Sequence, residues 1–130
     1  MNLLPDSSGN PNPGDAPVLP RRLDSGVTIR DMLPDDIPAV HELEVRLFPL
    51  DAWPLQMFWD ELVQPETRRY LVAEGPDGIV GYAGLMCVQP IADVQTIAVV
   101  PDYEGRGIGR TLLTQLVDEA RQRGAADVLL

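Results

Sequence analysis

Residues Val94–Arg110 read VQTIAVVPDYEGRGIGR, and this stretch decides how the rest of the chain is read. Ile97, Ala98, Val99 and Val100 form a short apolar run rich in β-branched side chains, the pattern of a buried strand. Pro101, which has no N–H to donate, ends that strand together with Asp102. Gly105, Gly107 and Gly109 then alternate with Arg106 and Ile108, and a helix is predicted through RTLLTQLVDEARQRG. Leu112, Leu113, Leu116, Val117 and Ala120 fall at helical spacing and make one apolar stripe. Arg121 and Arg123 occupy the last turn, where cations suit the helix dipole, and Gly124 follows as a natural C-cap.

Glycines at this junction let the backbone take unusual φ values and come close to a ligand. The unpaired N–H groups of the helix's first turn carry about half a positive elementary charge. Strand, glycines, flanking arginines and helix N-terminus together describe an anion site, for which a diphosphate is the natural occupant. The alternative is a glycine-rich turn that merely joins strand to helix. A Walker loop requires a GK pair, which the chain lacks. A GxGxxG fingerprint begun at Gly105 would need glycine at Arg110, and begun at Gly107 it would need glycine at Leu112. Both nucleotide-binding patterns fail.

The chain has 130 residues, enough for one domain, and 45% of them are apolar, which can supply a core. No apolar run approaches the ~18 residues of a membrane span, and the N-terminus lacks the apolar core of a signal peptide, so a cytoplasmic location is expected. The single Cys87 lies in an apolar run, where a small buried side chain is expected rather than a nucleophile. With one histidine, His41, and no CxxC or HExxH, no metal site is expected. Ten cationic against twenty acidic residues give a formal charge of −10. Such a surface repels phosphate backbones, excluding direct nucleic-acid binding, and attracts basic peptides.

Residues 1–25 hold five prolines, two glycines and no sustained periodicity, and are expected to be a disordered tail in front of a domain over residues 26–130. Arg21 and Arg22 are too few to make a nucleic-acid arm. Val27–Arg30 is a predicted strand, and Pro34, Asp35 and Asp36 open a helix whose rows run through Ile37, Val40, Leu43, Glu44 and Leu47. His41 sits beside that stripe as a partly exposed helical histidine. Pro49 and Pro54 make a loop of FPLDAW, and LQMFWDELV is a second short helix. Phe48, Leu50 and Trp53 on that loop suit a substrate-binding wall, or else they cap the core. Tyr70–Glu74 and Ile79–Met86 are strands joined by GPDG, a hairpin signal, with Gly81 and Gly84 marking a bulge or close backbone approach. The order is β-α-α-β-β-β-α, with a further strand beginning in ADVLL at Ala126–Leu130. This is an α/β fold (α+β by some schemes) with a mixed sheet flanked by helices.

The segment IAVVPDYEGRGIGRTLL resembles the acetyl-CoA-binding segment of the GNAT N-acetyltransferases, in which Gln or Arg, two residues, Gly, one residue and then Gly or Ala open a long helix. Here Glu104 stands at the first position, with Gly107 and Gly109 as the two small residues. The chain from about Val27 to Leu130 is most similar to the RimI-type ribosomal-protein-alanine N-acetyltransferases, and its element order matches their mostly antiparallel sheet. The resemblance implies acetyl-CoA as co-substrate. Its pantetheine would pair with Ile97, Ala98 and Val99, and its diphosphate would lie on Gly105, Arg106, Gly107, Ile108, Gly109 and Arg110. It also implies that Phe48, Leu50 and Trp53 border the acceptor, a protein or peptide N-terminus such as that of a ribosomal protein.

In these proteins a glutamate follows the last strand seen here and a tyrosine lies on the next helix, so the catalytic residues are expected beyond Leu130. Glu74, Glu104, Asp93 and His41 are the bases available within the chain, and no motif gives any of them that role. Three other readings stay open: a GNAT acting on a small-molecule amine, a CoA-binding module without catalysis, and a nucleotide-binding α/β domain. An apolar terminus inside a strand leaves the sheet uncovered, so the chain reads as an incomplete domain. Purified 1–130 polypeptide is accordingly expected to fold poorly; a sharp cooperative thermal melt would contradict this.

Overall fold

The structure, a computed structural model, describes residues 18–130. Its six strands lie in sequence order across one sheet: β1 (Arg21–Arg22), β2 (Thr28–Asp31), β3 (Arg68–Gly75), β4 (Gly78–Val88), β5 (Ile91–Val99) and β6 (Asp127–Leu129). Every neighbouring pair is antiparallel except β5–β6, which is parallel. The helices are α1 (Ile37–Leu47), α2 (Leu55–Leu62) and α3 (Ile108–Gln122). The mixed, mostly antiparallel sheet with flanking helices is the one expected.

Differences from the sequence reading are local. The tail expected over residues 1–25 lies mostly outside the described residues, but Arg21–Arg22 pair with Thr28–Ile29 as an edge strand. Leu23 N–H donates to the Val27 carbonyl at 2.8 Å, and Gly26 turns the chain at φ +87°. Pro34–Asp36 form a 3-10 turn and the α-helix starts only at Ile37, with a proline in its opening turn. The strand read at Ile97–Val100 starts six residues earlier, at Ile91.

Strand alternation assigns the two layers. The Tyr70 hydroxyl reaches Glu61 on α2, while its neighbour Arg69 reaches Glu119 on α3. Helices α1 and α2 therefore cover one face and α3 the other. Ile108, Leu112, Leu116 and Ala120 bury the inner stripe of α3, each leucine contributing about 2 kcal/mol. At its C-terminus Gly124 takes φ +91°, and Ala125 N–H and Gly124 N–H donate to the Ala120 and Arg121 carbonyls, a Schellman closure. Arg123 does more than face a dipole: it pairs with Glu119 at 2.7 Å and donates to the carbonyls of Pro65, Glu66 and Arg68. Through Arg69, Glu119 is joined in turn to Asp31, tying α3 to β3 and β2.

The two glycines singled out in β4 are both required. A Cβ on Gly84 would sit 2.1 Å from the Tyr70 ring, and one on Gly81 would sit 2.9 Å from the Ala98 carbonyl oxygen. The register slips beside Gly84, where Gly84 faces Thr96 but Leu85 faces Val94, so Gln95 is an extra residue bulged out of β5.

At the start of α1, the Arg30 guanidinium grips both Asp36 carboxylate oxygens, at 2.7 and 2.9 Å, and Leu33 N–H donates to one of them at 2.7 Å. The hydrogen bonds from Arg30, opposed by burial, hold the Asp36 carboxyl below its ordinary value of 3.8. Because the folded state prefers the carboxylate, this contribution is present above that value and is lost as pH falls through the depressed one. Urea titrations from pH 6 down to pH 2 should show wild-type stability falling in the acid limb. Asp36→Asn should be weaker at pH 6 and show a shallower acid loss; parallel curves would rule out this source.

Candidate functional site

Strand β5 is paired with β4 from Ile91 to Val99, but with β6 only at Ile91, Ala92 and Asp93. Beyond Asp93 its outer edge has no strand partner among the described residues. Val94–Val99 thus offers main-chain N–H and C=O groups to anything extended that carries amides. The edge leads through a 3-10 turn at Pro101–Tyr103 directly into the glycine bend.

Gly105 and Gly107 adopt φ of +76° and +80°, the left-handed region that a side chain resists. Gly107 is the N-cap of α3, whose first main-chain bond runs from Thr111 N–H to the Gly107 carbonyl at 3.0 Å. The N–H groups of Ile108, Gly109 and Arg110 precede any carbonyl a turn back within the helix, and they face outward from its positive end. A cavity of about 250 Å³ lies against this turn, lined by Val99, Tyr103, Glu104 and the residues from Gly105 to Arg110 except Arg106. No atom lies within 4 Å of where a Cβ would stand on Gly105 or Gly107, so the space in front of both is open.

The residues expected to hold a cofactor thus fall in one continuous tract, but with distinct parts to play. Ile97 is exposed and Ala98 is buried opposite Tyr82; because Val100 N–H donates to the Val80 carbonyl, strand alternation turns the main-chain groups of Ala98 toward β4 and those of Ile97 and Val99 toward the open edge. Ile108 is 1% exposed; its side chain belongs to the core and its N–H alone is available. A Cβ on Gly109 would meet the Val99 side chain at 3.6 Å, so the first turn of the helix runs close beside the strand. Arg106 lies over the Tyr103 ring at 4.5 Å and donates to the Asp102 carbonyl at 3.0 Å, outside the cavity that holds the other bend residues.

The loop between α1 and α2 divides. Leu50 is 98% exposed, while Phe48 and Trp53 pack against the core. Trp53 stacks at a tilt on Phe58, 5.2 Å between centroids, and its main-chain N–H donates to Glu44 at 3.0 Å. Glu44 is buried, and its second oxygen accepts from the Tyr82 hydroxyl at 2.6 Å. Burial, with the Glu44 hydrogen bond behind it, pushes the Tyr82 phenol far up, so it remains a donor throughout the accessible pH range. A second buried pair, Glu61 with Tyr70 at 2.7 Å, is completed by Arg68 at 2.9 Å. In the sequence Glu44 is a helix-row residue and Glu61 one position of the short helix LQMFWDELV, and no motif marks either. The available signal was a glutamate at a stripe position on each helix, opposite a tyrosine in a glycine-rich or apolar strand.

Tyr82 stands opposite Ala98 in the register, so the Glu44–Tyr82–Trp53 cluster lies on the α1–α2 face near the C-terminal end of β5. Of the bases considered, Glu74 is held by Arg30 at 3.0 Å, and Glu104 is exposed beside the bend. Cys87 is buried and unpaired by disulfide. Among the described residues no group of three His, Cys, Asp or Glu side chains is placed to hold a metal ion, and no helix is long and apolar enough to cross a membrane.

An open strand edge running into a glycine bend and a helix N-terminus makes a tract shaped for an extended ligand with an anionic end. The model of the acetyltransferase (GNAT) family matches residues 37–130, and the chain belongs to that family. It is 42% identical over 100 residues to the N-alpha-acetyltransferase RimI of Mycobacterium tuberculosis, covering 73% of this chain and 63% of that protein. It is 32% identical over 105 residues to the ribosomal protein bS18-alanine N-acetyltransferase of Escherichia coli, covering 79% of this chain and 68% of that protein. The crystal structure of the ribosomal-protein-S18-alanine N-acetyltransferase from Escherichia coli superposes with a TM-score of 0.67 at 30% identity, covering 78% of this chain and 64% of that one. The chain therefore spans a little under two thirds of the Mycobacterium tuberculosis relative.

Tyr82→Phe removes a donor from a buried carboxylate and should cost about 1–3 kcal/mol in urea unfolding. Because Glu44 also fixes the Trp53 backbone, Trp53 fluorescence should shift in the folded variant; an unchanged stability and spectrum would show the cluster to be unimportant.

Proposed function

We propose that residues 26–130 form the acetyl-CoA-binding part of an N-acetyltransferase acting on a primary amine, the N-terminal amine of a protein of the ribosomal-protein alanine kind. One observation carries this reading: the unpaired edge of β5 and the cavity at the start of α3 form a single tract. Along it, the amides of a pantetheine arm pair with Ile97–Val99, and the diphosphate lies on the N–H groups from Gly105 to Arg110. The thioester then lies farther along the same edge, toward the middle of β5, with its carbonyl oxygen against an outward backbone N–H of the strand as charge develops.

In the transfer the amine nitrogen attacks the thioester carbon and the carbon–sulfur bond breaks. The nitrogen gives up a proton, and the departing thiolate takes one up. The thiol of Cys87 is buried and has no part in it. No residue from 18 to 130 is assigned as general base or acid. The acceptor approaches on the α1–α2 face, where the Glu44–Tyr82–Trp53 contacts position the loop from Phe48 to Trp53 beside β5. Relatives named for an N-alpha or ribosomal-protein alanine activity, and the strongly acidic composition, support a protein N-terminus over a small amine. A cytoplasmic location belongs to the same reading.

Gly107→Trp places an indole in the open space before the helix. Isothermal titration with acetyl-CoA should give a wild-type signal and about a hundredfold weaker binding in the variant. Gly107→Ala, which carries the backbone strain without the bulk, should lose much less. Equal binding by wild type and Gly107→Trp, or none by either, sinks the acetyl-CoA site. If binding holds, mass spectrometry should find one acetyl group on the α-amine of a basic peptide beginning with alanine. Binding without transfer to any peptide or small amine would leave a CoA-binding module instead.

A further inference from the structure

A second cavity adjoins the glycine bend, of about 330 Å³, lined by Arg21 and Arg22 of β1 and by Arg106, Gly107, Arg110 and Thr111 among others. Gly107 and Arg110 line both cavities, so the two share a wall. The N-terminal pair reaches this place because the segment after β5 crosses over the β3–β4 turn, where the Tyr103 hydroxyl lies 3.3 Å from the Cβ position of Gly75. The hairpin bonds at Leu23 and Gly26 fix the backbone of β1 against β2.

All ten cations of this chain are arginines, against twenty acids. Arg30, Arg68, Arg69 and Arg123 are paired with carboxylates. Arg21, Arg22, Arg106 and Arg110 are in no ion pair among the described residues, and all four converge on this one cavity. Asp24 also lines it without approaching any of them to ion-pair distance, which leaves a local charge of about +3. Four uncompensated guanidinium groups in a chain of net charge −10 are a site for a dense anion, and their forks match a phosphate monoester.

We propose that Arg21 and Arg22, with Arg106 and Arg110, form the subsite for the 3′-phosphate of the coenzyme's adenosine. This rests on the acetyl-CoA reading above. Coenzyme A carries its diphosphate and a phosphate monoester on the same ribose. A ligand whose diphosphate lies on the helix N-terminus therefore presents its second phosphate across the shared wall. Arg21 and Arg22 lie ahead of residue 37, where the family match begins, so this half of the subsite is supplied by the chain's own N-terminal hairpin.

The test compares acetyl-CoA with acetyl-dephospho-CoA, which lacks only the 3′-phosphate, by isothermal titration on the whole protein. Wild type should prefer acetyl-CoA by about tenfold or more. In Arg21→Gln/Arg22→Gln that preference should fall to about twofold, while affinity for acetyl-dephospho-CoA stays within about twofold of wild type. Arg22→Gln alone, a milder change to an exposed side chain, should fall between. Equal wild-type affinity for the two ligands, or a preference that survives the double substitution, overturns the subsite and leaves the coenzyme site standing. Failure of both ligands to bind wild type overturns the acetyl-CoA reading and the subsite with it.

Discussion

Strand β5 is hydrogen-bonded to β4 along its whole length and to β6 for only three residues, and the arrangement of this molecule follows from that inequality. The bulge at Gln95 marks where the strand changes course, one residue past the start of the unpaired edge. Past it, main-chain groups that a sheet would ordinarily satisfy are left for something else to satisfy. Two left-handed glycines then turn the chain so that α3 begins at the end of that edge. Alanine at either position would oppose the turn by its φ alone, although nothing stands in the way of its methyl group. The openness and the bend are thus separate devices that meet in one tract.

On the opposite face the sheet is held by polar contacts in places where an apolar core would have served for stability. Glu44 and Glu61 are each buried, and each accepts a tyrosine hydroxyl as well as a second donor. Fully satisfied clusters of this kind fix a geometry, since any slip of α1 or α2 would strand a carboxylate without its donors. The consequence at Glu44 is positional: it joins the Trp53 backbone to Tyr82, and Tyr82 stands opposite Ala98 in the strand whose other edge is open. Loop and edge are therefore held in register by three contacts.

Those contacts explain what could and could not be read beforehand. Helix α3 and the bend were legible because a 3.6-residue apolar stripe, alternating glycines and a C-cap glycine all point the same way. The start of β5 was not, since Asp93, Gln95 and Thr96 break the apolar run in the part of the strand that becomes a half-exposed edge. Strand β1 has two exposed arginines and no periodicity; only pairing with β2 makes it a strand. Glu44 sits on the same helix rows as Ile37, Val40 and Leu43, yet its partners come from 9 and 38 residues away, a separation no local pattern encodes. Leu50 is likewise illegible: composition groups it with Phe48 and Trp53, yet its side chain stands almost wholly in solvent while theirs pack against the core.

Charge orders the molecule at longer range. A polyanionic ligand approaching a surface of net charge −10 is repelled out to roughly a Debye length, about 8 Å at physiological salt. Attraction must then come from cations close to the site and free of carboxylates. Of the ten arginines, four are used in ion pairs that fasten β2, β3, α2 and α3, and four others surround the cavity beside the glycine bend. The dipole of α3 adds a positive end at the same point. Across the sheet, α1, its loop and α2 carry Glu42, Asp51 and Asp60 on their exposed surface, with Arg46 as the cation among them. An extended ligand laid along β5 would have its phosphates in the positive region and its reactive end beside the negative one. A cationic amine would be drawn to the second region by the same field that would keep stray phosphates out of it.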